Sequence, residues 1–157
     1  MPRLLWLLCL VNLIIGTGAF VVGGILTPIA EQLAISVPAA GQAMTAYALS
    51  TALLAPIVLL ATGRWPRKRA LLTALALFTA GNLLCALSSS FATLLAGRVL
   101  MGLGAVFTPI AAGIAVAVVE PAKRGKALAL TFLGISLSYV IGVPLGSWLG
   151  LAYEWHT

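Results

Sequence analysis

Arg64-Trp65-Pro66-Arg67-Lys68-Arg69 is a short basic knot set between two long apolar runs. Between Leu4 and Gly63 only Glu31 is charged, and the apolar pattern resumes at Ala70. Four cations pressed against hydrophobic segments orient a chain, because Lys and Arg in short loops are retained on the cytoplasmic side of a membrane. Reading outward from the knot therefore decides both fold class and topology.

Crossing about 30 Å of hydrocarbon takes roughly 20 residues of apolar helix. Five runs meet that length, at about 4–29, 38–62, 70–87, 91–119 and 127–151. Helices are the form they can take, since backbone groups in lipid must be paired within the segment. The runs are too long and too uniformly apolar for barrel strands, which alternate in polarity. Pro38 suits the first turn of the second helix, where a missing N–H costs nothing. The connections at 30–37, 63–69, 88–90 and 120–126 are short, so successive helices run antiparallel.

Composition agrees. Of 157 residues 62% are hydrophobic and 8% charged, whereas a soluble domain carries about a quarter charged. The sequence is that of an all-α integral membrane protein with one continuous domain over 1–157. Arg3, an apolar core and Thr17-Gly18-Ala19 mimic a cleavable signal. The run continues to Ile29, however, longer than a signal's apolar region.

The nine cations supply the orientation. Arg3, the four of the knot, Lys123, Arg124 and Lys126 share one side if the N-terminus is cytoplasmic, and Arg98 lies within the fourth run. The opposite orientation would translocate eight of them. The net charge of +6 is confined to hinges, with no broad basic face for a phosphate backbone, so nucleic acid is not an expected partner. The expected partner of these cations is the anionic face of the lipid bilayer. Cys9 and Cys85 sit inside apolar runs without C-x-x-C spacing and read as packing residues. The single histidine, His156, stands near the chain end. No Ser-His-acid set, metal cluster or phosphate loop is present, so neither an enzyme nor a cofactor is expected.

Three stretches carry a family resemblance. Leu59-Leu60-Ala61-Thr62-Gly63-Arg64-Trp65-Pro66-Arg67-Lys68 resembles the loop G-x-x-x-D-R-x-G-R-(R/K) between helices 2 and 3 of major facilitator transporters. Arg64, Arg67 and Lys68 match; Leu59, Gly63 and Pro66 depart, and the acidic member is absent. In that family the loop helps latch the cytoplasmic ends of helices from opposite halves; a plain positive-inside anchor explains the same cations. Arg98-Val99-Leu100-Met101-Gly102-Leu103-Gly104 resembles the fourth-helix R-x-x-x-G-x-G motif, whose arginine is associated with proton coupling. About seven residues, or roughly 10 Å, from the outer end of its span, Arg98 either faces a cavity or snorkels.

The third stretch is a ridge of small residues, Gly134, Ser138, Gly142, Gly146 and Gly150, recurring every four positions. Such ridges let helix backbones approach closely in lipid, and Pro144 beside it favours a kink. Gly142-Val143-Pro144-Leu145-Gly146 is similar to the G-x-P-L-G variant of the fifth-helix antiporter motif. Among other polar residues, Asn12, Gln42, Tyr47 and Tyr139 are candidates to line a cavity, with interhelical hydrogen bonding as the alternative. The acids Glu31, Glu120 and Glu154 all fall at helix ends or in loops. Several efflux relatives place a carboxylate near residues 17–20, where this chain has Ala19.

The resemblance implies most of one six-helix half of a twelve-helix carrier. It predicts a multi-pass protein of a bacterial-type inner membrane, exporting a small organic compound, drug or sugar with proton coupling. The segment after Leu151, Ala152-Tyr153-Glu154-Trp155-His156-Thr157, reads as an outer loop. The expectation is a chain that stops before helix 6, its partner being the missing C-terminal half. The alternative is a stand-alone helical scaffold that dimerises through the glycine ridge.

Overall fold

The computed structural model describes residues 3–152, and among them every regular element is helical. Five helical spans, Arg3–Gly24, Val37–Ala61, Arg67–Ala86, Phe91–Ala117 and Pro121–Ala152, are long and apolar enough to cross a membrane. The tight connections between them alternate between two ends of the bundle. One end gathers Arg3, the knot and the 118–120 turn and is the basic end; the other holds the 33–36 and 87–90 turns.

The span starts follow local chemistry. Ser36 caps the second span by accepting from the Ala39 N–H at 3.3 Å, with Pro38 in the first turn. Ser90 and Thr93 form a reciprocal capping box at the fourth span, which satisfies two N–H groups that no intrahelical carbonyl can reach. The third span begins at Arg67 rather than at Ala70, so three cations of the knot lie in its first turn. Cations there oppose the helix dipole, at about 0.3–1 kcal/mol each. Two contacts offset this: Arg67 Nη1 donates to the Gly113 carbonyl at 2.8 Å, and Arg69 lies over the Trp65 ring at 4.6 Å.

Prolines break three spans. The first does not run unbroken to residue 29: its α-helix, Arg3–Phe20, tightens into a 3-10 turn, Val21–Gly24, and a short helix, Leu26–Gln32, follows. Pro28 has no N–H for the carbonyl four residues back, at Gly24, so the helix is interrupted there. The fourth span splits at Ala105 and Val106, four and three residues ahead of Pro109, into Phe91–Gly104 and Phe107–Ala117. In the fifth, the kink favoured by Pro144 takes the form of a π-helical turn, Ser138–Gly142, between Arg124–Leu137 and Val143–Ala152. Pro56 leaves the second span continuous.

The fourth span is the hub, packed on one side against the third and on another against the second. The first span lies along the fifth, and the fifth also touches Phe107–Ala117 of the fourth. Small residues set these distances. A Cβ on Gly97 would lie 2.9 Å from the Gly81 carbonyl oxygen, and one on Gly102 would lie 2.9 Å from that of Tyr47. Backbones this close exchange dispersion and side-chain to main-chain hydrogen bonds, which drive helix association where lipid removes the hydrophobic term. Ser50 shows the latter, its hydroxyl donating to the Val99 carbonyl at 2.7 Å.

Candidate functional site

The small-residue ridge of the fifth span is filled by the first span of the same chain. A Cβ on Gly134 would strike the carbonyl oxygen of Cys9 and come within 2.8 Å of the Leu13 nitrogen. Farther along, Gly142 faces the Thr17 side chain, Gly146 faces Val21 and Gly150 faces Ile25. Ser138 in turn fills the space over Gly16. Pro144 stands exposed beside this seam, just past the π turn.

Asn12 belongs to the same packed interior. Fully buried, its amide donates to the Thr131 carbonyl at 3.0 Å and its oxygen accepts from the Thr108 hydroxyl at 2.9 Å. The side chain thus ties the first span to the fourth and fifth. Gln42 is exposed near the start of the second span and does not join Asn12.

Arg98 is 1% exposed. Snorkelling is therefore not its arrangement: the guanidinium is drawn inward, onto the first span. Its Nη1 donates to the carbonyls of Gly18 and Ala19 at 3.2 and 3.1 Å and lies 3.9 Å from Met101 Sδ. Those carbonyls fall in the last turn of the α-helix Arg3–Phe20, where the intrahelical ladder gives out. A cation is favoured there by the helix dipole as well. At Ala19, where this chain carries no carboxylate, the guanidinium meets main-chain oxygen, and Arg98 Nε is buried with no partner among the described residues. A buried cation held by two carbonyls, with one N–H unpartnered among the described residues at about 1–3 kcal/mol, is costly to keep for packing alone.

Ala19 has a second role. With Phe20, Met44, Tyr47, Ala48 and Thr51 it lines a cavity of about 700 Å³ between the first and second spans. Phe20 stacks on Tyr139 of the π turn, with ring centroids 4.7 Å apart and planes inclined 27°, and meets Tyr47 edge-on at 6.5 Å. Tyr47 and Tyr139 are thus brought together from the second and fifth spans by a residue that sequence reasoning passed over. A single apolar Phe at the end of an apolar helix carries no local signal; only its place beside two tyrosines marks it. Arg98 lies one strand of backbone behind this wall, because the carbonyl that binds it belongs to Ala19.

At the basic end Arg67 spans from the third to the fourth span through Gly113, while Arg64 and Lys68 are exposed. Glu120 pairs with Lys123 at 2.9 Å on the surface, a contact worth about 0–1 kcal/mol. His156, Glu154 and the other residues past Ala152 lie outside the described residues.

Comparison with known proteins agrees with this architecture. The chain is 34% identical over 152 residues to the uncharacterized MFS-type transporter YbcL of Bacillus subtilis, covering 96% of this chain and 39% of that protein. Against the inner membrane transport protein YdhP of Escherichia coli K12 identity is 36% over 142 residues, 90% of this chain and 36% of the relative. A chloramphenicol resistance protein of Streptomyces lividans is 36% identical over 156 residues, 99% of this chain and 40% of its own length. The chain thus spans about two-fifths of the length of these curated relatives. The family model described as the Major Facilitator Superfamily matches residues 8–157. With five membrane-length helices and that match along nearly its whole length, the chain belongs to the Major Facilitator Superfamily.

Proposed function

We propose that this chain forms the N-terminal part of a secondary transporter that exports a small organic compound across a bacterial-type inner membrane, with proton coupling. Transport would proceed by alternating access, two helical halves rocking about a midplane site. The observation that carries the reading is Arg98, buried on the Gly18 and Ala19 carbonyls directly behind the cavity wall. An intramembrane cation at a helix break next to a cavity is a functional device by default. The relative named as an inner membrane transport protein supports transport, and export is the activity that would fit the one named as a chloramphenicol resistance protein.

A stand-alone scaffold is the weaker reading. The 134–150 ridge it would use for dimerising faces the first span of its own chain. The second and fifth spans, with 11% and 17% of their apolar windows buried, offer the faces on which a second half would rest. Reading the coding DNA beyond Thr157 tests this: seven further spans support the carrier, and a stop codon in an intact gene overturns it.

Arg98→Met in the complete carrier is the functional test. Replacing Arg98 by an apolar side chain leaves the Gly18 and Ala19 carbonyls without this donor, at a cost of about 1–3 kcal/mol, so efflux is read per folded carrier with membrane abundance measured alongside. Drug or sugar efflux from intact cells is expected to be lost, and undiminished efflux would overturn the role given to Arg98. The cytoplasmic N-terminus is tested separately. Lys68→Cys and Lys123→Cys are expected to react with an impermeant maleimide only in inside-out vesicles, and labelling of intact cells would reverse the topology.

A further inference from the structure

The third span has two faces of opposite character. On one, Ala70, Ala74, Phe78 and Gly81 are buried, with Gly81 against Gly97 and Met101 of the fourth span and Phe78 against Gly104. At about 100° per residue, Arg69, Leu72, Thr73 and Ala76 fall on the other. With Pro66 and Lys68 these four line a groove of about 460 Å³ at the basic end of the bundle. The described lining comes from 66–76 alone, and none of it from the second and fifth spans, on which a second half would rest.

The groove is graded along its length. Its mouth carries Lys68 and Arg69, both exposed. Arg69 is steadied there, its guanidinium lying 4.6 Å over the Trp65 ring, and Trp is itself a residue of the membrane–water boundary. Leu72 and Ala76, one and two turns deeper, are apolar and exposed, about 10 Å of helix separating Arg69 from Ala76. Positive charge at the mouth and an apolar floor within suit a single ligand that joins an anion to a tail. A soluble phosphate would use the mouth alone. An anionic phospholipid uses both parts, because ammonium and guanidinium groups donate charge-assisted hydrogen bonds to phosphate oxygens. Basic pockets at the ends of membrane helices hold anionic headgroups in this way.

We infer that this groove holds one anionic phospholipid from the leaflet at the basic end, its phosphate on Lys68 and Arg69 and an acyl chain against Leu72 and Ala76. General attraction to an anionic bilayer becomes here a discrete site for one molecule. The inference stands apart from the transport reading, since it uses the groove and its charges and neither Arg98 nor a substrate.

The test is native mass spectrometry of the chain in detergent, titrated with dioleoylphosphatidylglycerol or dioleoylphosphatidylcholine. The first phosphatidylglycerol is expected to bind about 25-fold more tightly than the first phosphatidylcholine, from about fivefold for each of two cations. Equal affinity for the two lipids would overturn the anionic class. Lys68→Gln with Arg69→Gln is expected to remove the preference and leave phosphatidylcholine binding unchanged. Arg124→Gln with Lys126→Gln takes the same charge from exposed residues outside the groove and is expected to alter the first affinity less than about twofold, since salt screens separated surface charges. An equal loss there would reduce the effect to diffuse attraction and overturn the site. Leu72→Trp fills the groove without changing its charge and is expected to displace the first phosphatidylglycerol. Ala76→Trp repeats that measurement should Leu72→Trp lower folded yield, and undiminished binding in a folded variant would overturn the groove as the seat. Glycerophosphoglycerol, the same headgroup without tails, is expected not to compete; displacement by it at equal concentration would make the ligand a soluble phosphodiester and overturn the lipid. The complete carrier is expected to keep the preference, and its loss there would mean that the rest of the protein covers the groove, which also overturns the site.

Discussion

The first and fourth spans and the second and fifth spans are nearly equal in mean hydropathy, yet they live in different surroundings. In the first and fourth, 44% and 39% of the apolar window is buried in protein; in the second and fifth the shares are 11% and 17%. Apolarity therefore puts all of them in the membrane without saying which face meets protein and which meets lipid. The difference lies in how many faces carry small and polar residues, since the fifth span meets the first through a single ridge. The inner pair meets its neighbours through Gly16, Gly97, Gly102 and Gly104, Asn12 and Arg98, each in a defined contact. The outer pair turns Leu49, Leu53, Ile57, Leu145 and Trp148 outward. Lipid tails are as apolar as leucine, so only shape and hydrogen bonding separate inside from outside.

Gly134→Leu tests that separation most severely. Any side chain there would collide with the Cys9 carbonyl and part the first span from the fifth. The expected loss is about 3 kcal/mol, the upper end for overpacking, seen as a collapse of folded yield or an early transition on SDS titration in mixed micelles. Parent-like stability would mean that the two spans are not in backbone contact. Leu5→Ala comes next. Leu5 is 0% exposed, and the void left behind is expected to cost about 2 kcal/mol, low in the range for buried leucine because lipid supplies no transfer term.

Asn12→Ala ranks third. It removes the bonds to Thr131 and Thr108 that link three spans, and the expected cost is about 1 kcal/mol, typical of interhelical hydrogen bonds in membranes. Loss of slowed amide exchange in Phe107–Ala117 would accompany it. An unchanged transition would show that the amide finds equivalent partners in the unfolded state.

How much of this was readable beforehand follows from range. The spans and the clustering of cations at one end depend on runs of neighbouring residues, so the sequence displayed them. The glycine ridge was visible for the same reason; its partner was not, because Cys9, Leu13 and Thr17 lie more than a hundred positions away. The breaks at Ile25 and at Ala105 were encoded locally in Pro28 and Pro109, yet uniform apolarity masked them. Arg98 was conspicuous as a cation in hydrocarbon, but its acceptors are main-chain carbonyls, which every residue carries and no sequence pattern reveals. Phe20 was hidden by being one apolar residue among many, and became legible only when three spans brought Tyr47 and Tyr139 to it.

The smallest expected effect is the sharpest test of the contrast. Leu53→Ala deletes the same atoms as Leu5→Ala, from a residue 65% exposed on the second span. Leucine and alanine are both good helix formers, and the deleted methyl groups touch lipid rather than protein. Stability of this chain in micelles is therefore expected to change by less than about 0.5 kcal/mol. In a complete carrier the same substitution would be felt if the exposed face of the second span rests on another half. A cost near that of Leu5→Ala, seen only in the longer protein, would identify that face as an interface. An equal cost in the 157-residue chain itself would break the comparison, since it would mean that the outer pair is already packed.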